Sequence, residues 1–147
     1  MRRFARRIST LGPIGRSPIA PGTLGAAAAA VVGYAVSAQW GVAACGAATV
    51  VTILAGQWAC TARGDAADDP GEVVIDEAAG QLIALLGAGH RPGCIVLAFG
   101  LFRLLDIWKP WPIRQVEEKG GAWAVMGDDI LAGCMAGIVV LAVGFIG

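Results

Sequence analysis

The stretch SPIAPGTLGAAAAAVVGYAVSAQWGVAACGAATVVTILAGQWACTA, residues 17–62, runs for 46 residues without an Asp, Glu, Lys or Arg. One membrane crossing needs about 20 predominantly apolar residues. A run this long suits two, joined by a tight turn at Ser37-Ala38-Gln39-Trp40-Gly41. The expected unit is a helical hairpin whose first arm is rich in Ala and Gly (Gly25, Ala26 to Ala30, Gly33), side chains small enough to let neighbouring helices approach closely in lipid. Its second arm returns the chain to its starting side near Arg63.

The composition points the same way. Of 147 residues, 56% are hydrophobic and only 15% charged, and the mean hydropathy is +0.68. A soluble domain carries about a quarter charged residues, so a purely soluble enzyme is excluded and much of the surface must face lipid. The length allows one domain, residues 1–147, opening with a basic arm over 1–16. Arg2, Arg3, Arg6, Arg7 and Arg16 precede every acid, which by the positive-inside bias makes the N-terminus cytoplasmic and suits it to anionic head groups. Nothing in this patch or in the acidic one suggests nucleic acid. Arg6-Arg7-Ile8-Ser9 followed by Val36-Ser37-Ala38 has the look of a secretion signal, but the uncharged run far exceeds a signal's apolar core of about 7 to 15 residues, so no cleavage is expected. Cys45, Cys60, Cys94 and Cys134 sit in apolar stretches without paired spacing and read as buried thiols.

Six of the eleven carboxylates crowd between Asp65 and Glu77. Asp69-Pro70 is a helix-start signal, so a helix is expected to begin there and run through Asp76 and Glu77 into the apolar Ala78 to Gly89. After a turn at His90-Arg91-Pro92-Gly93 a second apolar piece covers Pro92 to Phe102. Both pieces are short, which leaves two readings open: tilted crossings, or a re-entrant pair. Asp106 to Asp129 reads as a polar loop at the membrane surface, with Trp108, Trp111 and Trp123 at the interface. A last span is expected from Ile130, capped by Asp128 or Asp129. The fold class is therefore all-α: a small polytopic membrane protein of about four transmembrane or re-entrant helices. Counting crossings gathers the Asp65 to Glu77 acids, Arg103 to Lys109 and Asp128/Asp129 on one cytoplasmic face.

Several chemistries can be read from these groups. On a helix Asp69, Glu72 and Asp76 fall within roughly 60° of one another. Like charges that close repel unless a cation compensates them, and hard oxygen ligands favour Mg²⁺. A solvated acidic helix start explains the same stripe equally well. Arg103 and Asp106, three apart, share a helix face with Lys109. They read either as a structural pair or as a metal ligand with two phosphate-holding cations. Asp129 lies one turn before Gly133, whose missing side chain leaves space over that face. Thr23, in Pro21-Gly22-Thr23, reads as a plain cap or as an anion contact. His90, the single histidine, falls in the turn on the opposite side, which excludes histidine-based phosphatases and a Ser-His-Asp hydrolase.

Pro21-Gly22-Thr23, Asp69 with Glu72 and Ile75-Asp76-Glu77, the run from Phe102 through Arg103, Asp106, Lys109 and Pro112 to Ile113, and Gly120-Gly121 followed by Asp128-Asp129-Ile130-Leu131-Ala132-Gly133 resemble the phosphatidylglycerophosphatase A family. Ala26, where a small hydroxyl residue is expected, and Trp123, in place of a small residue, depart from its pattern. The resemblance implies an all-α, Mg²⁺-dependent phosphatase of the bacterial inner membrane, facing the cytoplasm, that hydrolyses phosphatidylglycerophosphate to phosphatidylglycerol and phosphate. By position it implies Asp69, Glu72, Asp76, Asp106 and Asp129 as metal ligands for one or two ions. Glu77, Arg103, Lys109 and Asp128 would be catalytic, with Thr23, Arg103 and Lys109 toward the substrate. Direct water attack and a covalent aspartyl intermediate both stay open, and the bilayer and a second copy of the chain are the other partners considered. Apart from the resemblance, a small ion-coupled transporter or channel subunit accounts for the same charges, provided its acids spread through the membrane depth.

Overall fold

The computed structural model describes residues 1–64 and 71–146, and there it is helical without a strand. The helices are α1 (Arg2–Ser9), α2 (Pro21–Trp40), α3 (Val42–Arg63), α4 (Ile75–Leu86), α5 (Pro92–Trp108), α6 (Ile113–Glu117) and α7 (Gly121–Ile146), with a 3₁₀ turn at Ile14–Arg16 before α2. The expected hairpin is present as α2 and α3, but its turn is tighter than five residues. α2 stays helical to Trp40, and Gly41 alone, at φ +86°, reverses the chain. That backbone angle costs glycine little and any other residue much more.

Among the described residues three helices, α2, α3 and α7, are long and apolar enough to cross a bilayer. α4, with 12 residues, spans about 18 Å and falls well short of the ~30 Å hydrocarbon core. It is nonetheless the hub of the bundle, packed on α2, α3, α5 and α7. Nine of its residues are buried, against a ring of helices that turn Val31, Val51, Leu54, Ile138 and Phe145 outward. α4 and α5 thus form a hairpin in which α4 is enclosed and α5, with only Ala98 and Phe102 buried, lies on the outside; α5 carries Arg103 and Asp106 on its last turns. Its turn holds His90, whose Nδ1 lies 3.1 Å from Ser37 Oγ near the end of α2, far from the acids. Of the thiols, Cys45 and Cys60 are buried as expected, while Cys134 is exposed on α7.

Two element boundaries differ from the expectation. α7 starts at Gly121, not Ile130, because Ala122-Trp123-Ala124-Val125-Met126 continues the helix and buries Ala124 and Met126. Asp128 and Asp129 are therefore not caps; they lie inside the helix, both buried. α4 starts at Ile75, so Glu72 precedes it in a turn and shares no helical stripe with Asp76. Asp69 lies outside the described residues.

What holds Glu72 there is α1. The Val74 N–H donates to the Ser9 carbonyl at 2.9 Å. Arg6 donates to both Glu72 oxygens at 3.0 and 2.9 Å, and the buried Arg63 donates to Glu72 at 2.8 Å and to Ser9 Oγ at 2.9 Å. The basic arm is thus a helix stapled to the loop before α4. The Arg6 hydrogen bonds, together with Arg63 and outweighing partial burial, hold the Glu72 carboxyl below its usual range. A depressed folded-state pKa stabilises the fold above the ordinary glutamate value of about 4.3 and is lost as the pH falls through the lowered one. Glu72→Gln is expected to lower the thermal midpoint in detergent at pH 7, the gap from the wild type closing as the pH drops below about 4.

Candidate active site

Two helices meet at the end of the bundle where α3 finishes and α4 begins. α4 supplies Asp76 and Glu77, α7 supplies Asp129, and carboxylate oxygens of the three lie within 4.8 Å of one another. Asp76 is 5% and Asp129 4% exposed, so water cannot screen their mutual repulsion as it would at a surface. The Asp76 carboxylate accepts the Glu77 N–H at 3.0 Å, and that of Asp128 accepts the Asp129 N–H at 3.0 Å. Asp129 Oδ1 and Glu77 Oε2 are buried with no hydrogen-bond partner among the described residues. Orphaned buried oxygens in a set with no sulfur or imidazole fit a hard divalent cation.

The cations stand around these acids. Arg103 is paired with Asp106 one turn along α5, and its Nη2 donates to Thr23 Oγ1 at 3.1 Å, tying α5 to the start of α2. Its Nε is buried and unpartnered among the described residues, a donor free for an anion. Lys109, ending α5 at φ +45°, donates to Asp128 at 2.8 Å and to Glu117 of α6 at 2.6 Å. Burial alone would push this ammonium down, but the two carboxylates push it up further, so it stays charged. Asp76, Glu77, Asp106, Lys109, Asp128 and Asp129 line one cleft of about 210 Å³.

Of the residues singled out from sequence, those six line the cleft; Arg103 is tied to it by its pairing with Asp106, and Thr23 by the hydrogen bond from Arg103. Glu72 does not join it: both its oxygens are taken by Arg6 and Arg63, which corrects its expected place beside Asp76. The space expected over Gly133 is filled as well, since a Cβ there would lie 2.3 Å from the Gly80 carbonyl oxygen of α4. Sequence reasoning missed Glu117, for no helical spacing links it to Lys109 across Pro110 and Pro112. It also missed why Gly22 follows Pro21: a Cβ there would lie 2.1 Å from Glu77 Oε1, so glycine admits that carboxylate to the start of α2. Gln81, fully buried one turn beyond Glu77 with neither amide atom partnered among the described residues, was also passed over. An ion path would need acids along the membrane depth, whereas the described ones gather at one end.

Comparison with known proteins identifies the lineage of this cleft. The sequence pattern of the phosphatidylglycerophosphatase A family matches residues 7–144. A Bacteroides thetaiotaomicron protein provisionally named a phosphatidylinositol-3-phosphatase is 36% identical, over 86% of this chain and 84% of its own length. The phosphatidylglycerophosphatase A of Escherichia coli is 37% identical, over 85% of this chain and 75% of its own. That of Haemophilus influenzae is 35% identical, over 94% and 93%. No solved structure matches the chain significantly. Because the match begins in α1 and runs into the last turns of α7, spanning every residue of the cleft, the chain belongs to the phosphatidylglycerophosphatase A family of phosphatases.

Proposed function

We propose that this protein hydrolyses phosphatidylglycerophosphate to phosphatidylglycerol and phosphate with Mg²⁺ in the α4–α5–α7 cleft, on the cytoplasmic side of a bacterial inner membrane. The observation that carries the reading is the Asp76, Glu77 and Asp129 cluster, with orphaned oxygens on Glu77 and Asp129, in a cleft that Lys109 also lines. The two relatives named as phosphatidylglycerophosphatase A support the substrate, and the basic α1 supports the sidedness.

Asp76, Glu77 and Asp129 would hold the ion, with Asp106 on the wall beside them. Bound there, Mg²⁺ supplies positive charge to the phosphoryl group and acidity to a water. The rest of the chemistry belongs to the chain. Arg103, held by Asp106 and Thr23, offers its unpartnered Nε to the phosphate. Lys109, fixed between Asp128 and Glu117, adds a second charge that strengthens as charge grows on the phosphoryl oxygens. Water's oxygen joins phosphorus as the bond to the glycerol oxygen breaks, and the departing alkoxide takes a proton from that water. The acyl chains would stay in the bilayer against the exposed faces of the long helices.

The test is phosphate release by the purified chain from phosphatidylglycerophosphate and, separately, from phosphatidylinositol 3-phosphate, with and without a chelator. Release from the first that stops on chelation and returns with Mg²⁺ is expected. Faster release from the inositol lipid, or release untouched by chelation, would overturn the proposal.

A further inference from the structure

A second charged concavity lies at the same end of the bundle, outside the cleft. Arg2, Arg3, Arg6 and Arg63 line a pocket of about 330 Å³ between α1 and the end of α3. Glu72 engages Arg6 and Arg63, while Arg2 and Arg3 are exposed and have no acid partner among the described residues. Beside this pocket Phe4 of α1 meets Trp58 of α3 edge to face, ring centroids 6.0 Å apart, both rings exposed. Exposed aromatics on a membrane helix favour the head-group level. On the same side of α3, Leu54 and Val51 continue as an exposed apolar stripe at helical spacing from Trp58.

Charge above, an aromatic step at the boundary and an apolar track below are the three layers of a single phospholipid. We infer that the α1–α3 groove is a lipid-binding site separate from the catalytic cleft, taking the head-group phosphate of an anionic glycerophospholipid on Arg2 and Arg3 with an acyl chain along Trp58, Leu54 and Val51. Guanidinium forks suit the phosphodiester, which offers two oxygens to a bidentate donor. An occupant there would hold α1 on α3, and α1 in turn holds the loop that leads into α4 through Ser9 and Arg6.

The experiment is lipid retention by the full chain in micelles doped with equal amounts of phosphatidylglycerol and phosphatidylcholine, read by native mass spectrometry. Preferential retention of phosphatidylglycerol is expected, and Arg2→Gln with Arg3→Gln is expected to cut that preference about thirtyfold, the scale of two head-group contacts. Arg7→Gln with Arg16→Gln removes the same charge from exposed positions outside the pocket and is expected to preserve the preference. Phosphate release in plain detergent should be unchanged in both double variants. Equal loss of preference in the two, or none in the first, overturns the site.

Discussion

Asp129→Asn is expected to reduce phosphate release by about 10³-fold while leaving the helical bundle intact. The substitution keeps the shape of the side chain and removes one negative charge from a cluster whose carboxylate oxygens lie within 4.8 Å of one another. Charge stabilisation by a bound metal is worth several kcal/mol, and each 1.36 kcal/mol is a tenfold change in rate. Folding responds in the opposite sense. In the metal-free state, crowding the carboxyl groups of the buried Asp76 and Asp129 and the half-buried Glu77 opposes folding, so losing one should hold or raise the thermal midpoint. The stabilisation that Mg²⁺ adds to the wild type should shrink in the variant, since an ion bound only by the folded chain stabilises in proportion to its affinity. Phosphate release and thermal unfolding, each with and without Mg²⁺, check both halves. Near-normal turnover would remove Asp129 from the site, and a collapsed midpoint would make its role structural.

How far the sequence could be read follows from the range of each interaction. The α2–α3 hairpin was legible because an uncharged run of 46 residues leaves few alternatives in lipid. Arg103 with Asp106 was legible because three residues on a helix fix a common face. The meeting of α4 and α7 acids was legible at the level of topology, through the side to which each crossing returns the chain. Glu72 was not, because its partner Arg6 lies 66 residues away and nothing local distinguishes an ion-paired glutamate from a metal ligand. The start of α7 was obscured by Gly120-Gly121 and an aromatic residue, which resemble a surface loop. Both glycines do adopt positive φ, but the second one already begins the helix. Glu117 and Gly22 depend on contacts between elements far apart in the chain, which carry no periodic signal.

Gly133 connects packing to chemistry, and Gly133→Ala should damage both. A Cβ at Gly133 would meet the Gly80 carbonyl oxygen at 2.3 Å and Gly80 backbone carbons at 2.9 Å. The obstacle is backbone, so no rotamer change relieves it; α4 and α7 must move apart. Gly80 lies one turn beyond Asp76 and Gly133 one turn beyond Asp129, so this crossing sets the separation of the two carboxylates. Overpacking of this kind costs about 1–3 kcal/mol, and displacing catalytic groups by about 1 Å costs roughly 10²-fold in rate. Gly133→Ala is therefore expected to lower the thermal midpoint by several degrees and phosphate release by about 10²-fold. The comparison that isolates the mechanism is Gly137→Ala, one turn further along α7, where the new Cβ would stand 3.3 Å from the Ile83 carbonyl oxygen and needs only a few tenths of an ångström. It should cost little in either measurement. If Gly137→Ala proves as harmful as Gly133→Ala, the spacing of α4 and α7 is not set at the Gly80–Gly133 crossing, and the distance between Asp76 and Asp129 must be fixed by other contacts.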